Sequence, residues 1–360
     1  MNIMSMDFGS ILKSLRQART WKILDLAMAS GIDPSLLSKY ERGQRAPSIN
    51  HVHQLLDLFG SEGTQLKRQW LADKIYELVR DEDDPGAIWT LADNRIEYFK
   101  SHPATITPDL SEDMIKDLQD LDFLKVQWNK VRPLTSTQRI KLQQYFHTMY
   151  THDSNQIEGN TLTFQETHLV VNEGLTISGK SMREHLEAIN HQEAIDYLID
   201  LVHYKEEFSK RVLLELHHLI LKSIDSQHAG VYRSVPVKIS GSRHEPPQPY
   251  LIDKLMEDYF IYYEKQKKIL HPVILAADMH ERLASIHPFI DGNGRTSRLI
   301  MNLILLRHGY TLTSLKGDST SRLKYYQALE KVQVENDSSM FYRLIIDAVK
   351  RSLRDHLDAV

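Results

Sequence analysis

The stretch His287-Pro-Phe-Ile-Asp-Gly-Asn-Gly-Arg-Thr-Ser-Arg298 places a base, an acid, two glycines, an amide and two arginines close together. The glycines let the backbone curl so that successive N–H groups converge, which is how proteins build an anion cradle. The apolar run Leu299-Ile-Met-Asn-Leu-Ile-Leu-Leu306 follows, so Arg295 and Arg298 open a helix and, three residues apart, share one of its faces. There they offer charge-assisted forks to phosphate oxygens above the helix N-terminus. Asp291 is a hard oxygen ligand suited to Mg²⁺, and His287 is a base that ordinarily titrates near neutral pH. Together these residues read as a polyphosphate site with a proton acceptor at its edge.

Away from this loop, helical periodicity dominates. It covers residues 8–18, 22–29, 49–59, 66–79, 114–126, 139–150, 184–203, 210–224, 251–264, 272–286, 295–308 and 322–334. Strand-like alternation occurs in one place, residues 235–243, around a Ser240-Gly241-Ser242 turn. The proline-rich Glu245-Pro-Pro-Gln-Pro249 then blocks any continuation of a ladder. The expected fold is therefore mainly α, with one β-hairpin flap.

The acidic Asp81-Glu-Asp-Asp-Pro-Gly86 is a turn signal and reads as a hinge, and a second loop-like stretch runs over 101–111. These breaks divide the chain into a small helical domain at 1–62, a helical connector with a hinge at 63–111, and a large domain at 112–360. The length of 360 residues suits two or three domains, and 41% hydrophobic with 26% charged residues is ordinary for a globular protein. A net charge of −4 leaves no global basic field, so any contact with nucleic acid must be local. The absence of cysteine excludes disulfides, zinc-thiolate sites and a cysteine nucleophile. No signal-peptide pattern opens the sequence and no apolar run reaches membrane-spanning length, so a cytoplasmic protein without a membrane partner is expected.

In residues 8–60, Leu24, Ala27 and Met28 give one helix an apolar face, and Gly31 permits a tight turn. Asp33 and Pro34 then cap and open the next short helix, which carries Leu36, Leu37 and Tyr40 for packing. This arrangement, with the Glu41-Arg42-Gly43 exit and Pro47 before the last helix, resembles the helix-turn-helix domain of the XRE/Cro family. The resemblance implies that the second motif helix enters a major groove, with Asp33, Ser35, Ser38 and Lys39 near base edges and Arg42 and Arg45 near phosphates. Ile23 stands where glutamine is common. Seven Lys/Arg against five Asp/Glu in residues 1–60, a net of +2, argue for weak duplex binding unless the protein dimerises. Self-association or partner docking is the alternative role, and a homodimer is left open.

The 287–298 loop matches the signature of the Fic family, HPFxDGNGRxxR, at every fixed position. The resemblance extends from about Leu118 to Leu329 and includes Ser154-Asn-Gln-Ile-Glu-Gly-Asn160, Glu187-Ala-Ile-Asn190 and Gly230-Val-Tyr-Arg233. It implies transfer of AMP from ATP to a Ser, Thr or Tyr hydroxyl of a target protein, with release of pyrophosphate. His287 would be the base, and Asp291 with Mg²⁺ would neutralise the α- and β-phosphates. The N–H groups of Gly292, Asn293 and Gly294 and the Asn293 side chain would cradle the phosphates, with Arg295 near the β-phosphate and Arg298 near the γ-phosphate. Related Doc kinases carry a lysine at the position of Gly294, so a small residue favours AMP transfer over phosphorylation. Phe289 reads as a structural anchor, and His280 as a packed core residue. Neither His217/His218 nor His185/His191 has the HExxH kind of spacing.

The hairpin would serve as a flap whose edge, Val237, Lys238, Ile239 and Ser240, pairs with a target segment. Asn302, Tyr325 and Tyr326 are candidates for the adenine slot by resemblance. Ser154-Asn-Gln-Ile-Glu158-Gly159 resembles the family's inhibitory motif, S/TxxxEG/N. In that reading Ser154 caps a short helix near 150–159, and Glu158 pairs with Arg298, so the γ-phosphate cannot seat. Two other readings stay open: a DNA-binding regulator in which the nucleotide site is a sensor, and removal of AMP from a modified target with the help of Glu158.

Overall fold

The computed structural model describes residues 7–101, 110–131 and 135–360, and the chain divides into two units, residues 1–102 and 103–360. The first unit is built from α1 (Phe8–Ala18), α2 (Ile23–Ser30), α3 (Pro34–Glu41), α4 (Ile49–Phe59), α5 (Thr64–Val79) and α6 (Pro85–Ser101). Asp33 caps α3 by accepting from the Ser35 and Leu36 N–H groups at 2.8 and 3.3 Å. Leu12, Leu26, Leu37, Val52 and Leu55 are fully buried and form the core of this bundle. Leu66 and Trp70 of α5 pack on the same cluster, and the Trp70 indole donates to Pro47 O at 2.9 Å. The helix after residue 62 therefore shares the core of the small bundle. The acidic stretch at 81–84 joins α5 to α6, where Asp84 accepts from Ala87 N–H at 2.9 Å and caps α6. Most of the loop-like stretch expected at 101–111 lies outside the described residues.

The second unit runs through α7 (Glu112–Lys130), α8 (Ser136–Ile157), α9 (Phe164–Glu173), α10 (Met182–His203) and α11 (Lys210–Leu221). It continues through α12 (Ile252–Gln266), α13 (Pro272–Ile286), α14 (Asn293–Arg307), α15 (Ser319–Glu335) and α16 (Ser339–Asp358). Every residue of α14 from Arg295 to Leu305 is buried, because α10, α11 and α13 pack around it. Its N-terminus opens at Gly292, so two arginines are carried into a nearly all-apolar centre. Buried cations need partners, and the surrounding elements supply only some of them.

Four helices fall outside the windows of clear periodicity: α3, which its Asp33-Pro34 start had signalled, and α6, α9 and α16. The last had a readable signal, since Phe341, Ile345, Val349 and Leu353 recur every four residues and are all buried.

The β-hairpin flap is not present: no strand occurs among the described residues, although the mainly-α class agrees. Within residues 235–247 the one main-chain to main-chain hydrogen bond is a turn contact, Ser242 N–H to Ile239 O at 3.3 Å. Both ends of the segment are instead bound by one side chain. Arg233 donates from Nη1 to Val235 O at 2.9 Å and from Nη2 to Pro247 O at 2.6 Å. Arg243 N–H and Nε–H both donate to Glu330 on α15, at 3.0 Å each. Val235 O, Pro247 O and Arg243 N–H, which a ladder would use, have other partners, and Pro236, Pro246 and Pro247 contribute no donor.

Candidate active site

Helix α13 ends at His287, whose backbone takes the left-handed conformation (φ +49°) and so turns the chain into the loop. This is costly for a residue with a Cβ and is held by its surroundings. Arg233, only 4% exposed, donates from Nε to His287 O at 2.8 Å, and its N–H donates to Pro288 O at 2.9 Å. His287 Nδ1 lies 3.2 Å from Ala284 O. A carbonyl can only accept, so Nδ1 carries the proton and Nε2 is left with its lone pair. Burial pushes the imidazole pKa down to about 4, with the Arg233 charge adding to the effect against the Ala284 hydrogen bond. His287 is therefore neutral at physiological pH, with the Nε2 lone pair free to accept a proton.

The loop is stitched mainly from within. Phe289 is fully buried and stacks on His217, with ring centres 3.6 Å apart. His217 Nδ1 accepts from Gly230 N–H at 2.9 Å, which leaves Nε2–H to donate to Asp291 O at 2.9 Å. Burial lowers the His217 pKa to about 4, so it serves as a neutral brace. The Asn293 side chain accepts from Phe289 N–H at 3.0 Å and donates to Phe289 O at 2.9 Å. Its oxygen and one of its two N–H donors are thus occupied in closing the loop, so the expected phosphate contact of this amide falls to the second N–H. The main-chain N–H groups of Asn293, Gly294 and Arg295 open α14 and have no partner within the helix. Gly292 (φ +79°) precedes them, and its own N–H donates to Asp291 Oδ1 at 2.6 Å.

Two guanidinium groups flank this cradle. Arg295 is 2% exposed, with Nη2 3.4 Å from Asp291 Oδ1, and its Nε and Nη1 make no hydrogen bond. Arg298 is fully buried and donates from Nε to Ser154 Oγ at 3.0 Å, and from Nη2 to Ser154 O at 2.9 Å and Glu158 Oε1 at 2.7 Å. Its Nη1 has no hydrogen-bond partner. Burial works against the Arg298 charge, but the Glu158 carboxylate and nearby tyrosines hold its pKa above the ordinary value. Buried guanidinium N–H groups without acceptors, beside an open helix N-terminus, suit an anion with several oxygens.

Glu158 lies at the end of α8, with its side chain one-third exposed. A Cβ on Gly294 would overlap Glu158 Oε1 and stand 3.1 Å from Arg298 Nη1. The absence of a side chain at 294 thus leaves room for this carboxylate as well as for a nucleotide. Ser154 differs from its expected role. The helix is 22 residues long, not short, and Ser154 faces Arg298 instead of capping its end.

Asp291 is 44% exposed in its side chain and pairs with Arg183 Nη2 at 3.0 Å. One accessible carboxylate beside a phosphate cradle suits Mg²⁺, which takes few protein ligands and shares the substrate's oxygens. No group of three or more ligating side chains among the described residues could hold a metal unaided.

The adenine candidates separate. Asn302 is fully buried, donates to Arg298 O at 3.1 Å and Thr313 O at 2.9 Å, and accepts from Thr313 N–H at 2.7 Å. Its amide is occupied in the core and has nothing left for a base. Tyr325 is 3% exposed, its hydroxyl 3.1 Å from His280 Nε2. Tyr326 keeps an open face at 41% exposure and donates to Ile157 O at 3.0 Å. Val237, Lys238, Ile239 and Ser240 lie on the strandless segment, wholly or partly exposed.

In the first unit, Ser35, Lys39, Arg42 and Arg45 are exposed and Ser38 partly so, along one side of α3 and the turn after it. The Ser35 hydroxyl donates to the capping Asp33 at 2.5 Å, and Arg42 Nε donates to Ser38 O at 3.1 Å.

Residues 207–305 match the Fic/DOC family, and residues 12–66 match a helix-turn-helix family. The chain carries a Fic/DOC domain. The Drosophila grimshawi protein adenylyltransferase Fic is 38% identical over 216 residues, which take in 60% of this chain and 43% of that relative. The chain thus spans less than half the length of this curated relative. A Fic-domain signalling protein from Bacteroides thetaiotaomicron superposes with a TM-score of 0.60 at 27% identity, covering 68% of this chain and 97% of its own. Fic-1 from C. elegans shares the fold at a TM-score of 0.62 and 22% identity, over 97% of this chain and 98% of its own. Arg233, Arg183 and His217 contact the 287–298 loop, and sequence reasoning assigned none of them a role there. Arg233 stood within the quoted Gly-Val-Tyr-Arg, but nothing in its spacing points to a carbonyl clamp.

Proposed function

We propose that this chain transfers AMP from ATP to a hydroxyl of a target protein and that Glu158 holds the reaction in check. The observation that carries this reading is Arg298, buried and divided between an inhibitory carboxylate and an Nη1 without an acceptor. The names of the Drosophila relatives support adenylyl transfer. In the reaction the acceptor hydroxyl gives its proton to His287 Nε2 as its oxygen bonds to the α-phosphorus. The bond from that phosphorus to the bridging oxygen breaks, and pyrophosphate leaves. The N–H groups at the start of α14 meet the charge on the transferred phosphate, and Arg295 and Arg298 hold the tail in line. A Mg²⁺ held by Asp291 and the phosphates supplies neutralising charge when bound. With Glu158 on Arg298, the tail cannot seat and attack is misaligned, which costs about a hundredfold.

Labelling of cell lysate with radiolabelled ATP tests this. The Glu158→Gly protein should label a target strongly, the unaltered chain weakly, and His287→Ala not at all. Equal labelling by the two variants overturns the reading. A second reading rests on the helix-turn-helix unit with its exposed Lys39, Arg42 and Arg45: a DNA-binding regulator that senses ATP. ATP-dependent duplex binding without labelling by Glu158→Gly would favour it. Removal of AMP is a further reading, supported by the accessible Glu158 carboxylate against Gly294. Glu158-dependent loss of label from modified target is its test.

A further inference from the structure

The contact between Glu158 and Arg298 joins the last turn of α8 to the first turns of α14, and one segment is tied to both. Residues 311–317 leave α14 and run under the end of α8. At one end Asn302, one turn beyond Arg298, donates to Arg298 O and Thr313 O and accepts from Thr313 N–H. At the other end Ser314 Oγ donates to Asp153 Oδ2 at 2.7 Å, with both residues buried, and Lys316 Nζ lies 3.2 Å from the same oxygen. Arg351 of α16 donates to Ser314 O at 3.1 Å and fixes the middle. Gly317 completes the seat: a Cβ there would stand 2.6 Å from Gln156 Cβ and 2.7 Å from Asp153 O, the latter a main-chain atom.

We propose that the 311–317 segment is a strap that sets the register of α8 against α14, with Asp153 and Gly317 as positioning residues for Glu158. This rests on the reading of Glu158 as a brake and adds the element that determines its strength. The carboxylate reaches Arg298 from a side chain one-third exposed, so little else confines it. Relieving the overlap of a Cβ at Gly317 takes a shift of roughly an ångström, and it moves the main chain at Asp153 and Gln156, in the last turns of α8 beside Ser154 and Glu158. A hydrogen bond of 2.7 Å does not survive a displacement of about an ångström. The strap lies outside the catalytic loop, so it can weaken the brake without touching His287 or the phosphate cradle.

The test compares ATP with AMP, because only ATP carries the tail that Glu158 displaces. Nucleotide affinities of the full chain are measured by titration for the unaltered protein, Gly317→Ala, Glu158→Gly and the double variant. Gly317→Ala should tighten ATP by about three- to tenfold and leave AMP unchanged within about twofold, with no further gain in the Glu158→Gly background. Asp153→Asn, which keeps the side-chain volume, should act in the same direction and stands in if Gly317→Ala does not fold. If Glu158→Gly tightens ATP and neither strap variant does, the strap falls and the brake stands. If a strap variant changes ATP affinity equally with and without Glu158, the strap falls as well. If Glu158→Gly itself leaves ATP affinity unaltered, there is no brake to set, and both readings fall together.

Discussion

The loop at 287–298 and the segment at 235–247 lie against the same arginine, yet they answer differently to inspection of their sequences. In the loop, several of the bonds that set its shape run over four residues or fewer: Asn293 to Phe289, Gly292 to Asp291 and Arg295 to Asp291. A pattern of residue types can encode such contacts, because spacing alone brings the partners together. The segment at 235–247 has the alternation of a hairpin, but Arg233 holds Val235 O and Pro247 O while Glu330, far along the chain, takes Arg243. No periodicity records a competitor for a carbonyl. Alternation is evidence of a half-buried extended chain, and a ladder forms only if its polar groups are not claimed elsewhere.

Arg233 is where this comparison can be broken. It should produce the largest effect, since Arg233→Met leaves buried carbonyls in both regions without a donor. In the Glu158→Gly background, AMP transfer should fall by about a hundredfold and stability by about 3 kcal/mol, measured by labelling rate and denaturant unfolding. Loss of stability with an unaltered transfer rate would show that His287 does not depend on this clamp.

A pH profile sharpens the comparison at the next level of effect. Burial holds the His287 pKa near 4. The kcat/KM of Glu158→Gly should therefore stay level on acidification to about pH 5 and fall only toward pH 4. The same depression bears on stability. Between a folded pKa of about 4 and an unfolded one near 6.5, the unfolded chain binds the proton and the folded chain does not. Stability should thus decline as pH falls through that window, for His217 and His287 together, and recover above it. A midpoint of activity near 6.5 would mean that the imidazole is open to water.

The smallest effect belongs to the exposed part of the segment. Lys238→Ala and Ser240→Ala should each change stability by less than about 0.5 kcal/mol, because no side-chain contact anchors either residue. A larger loss would imply that the segment has order beyond its Arg233 clamp.

Much of the Fic domain was legible because its helices carry their own signals, and even the unread α16 repeats an apolar residue every fourth position. The candidate site was legible where placement follows from residue type and spacing: His287 at the end of α13, Asp291 before the glycine turn, and Arg295 and Arg298 in the first turns of α14. It was not legible where roles depend on which partner reaches a side chain first. Asn302 and Asn293 each have the chemistry of a nucleotide contact, and both are occupied by main-chain groups.

The sequence by itself determined that α14 would begin with glycines and arginines and continue as an apolar helix, because these follow from local conformational preference and burial. It also placed a glutamate in a Ser-x-x-x-Glu-Gly motif that resembles the family's inhibitory one. Only the tertiary structure decided that Ser154 and Glu158 would share Arg298 across α8 and α14, that Arg233 would hold the strained His287 carbonyl, and that residues 235–247 would form no sheet. Each of those outcomes turns on a competition between partners distant in sequence, and such competitions are resolved only when packing fixes which of them lie within about 3 Å.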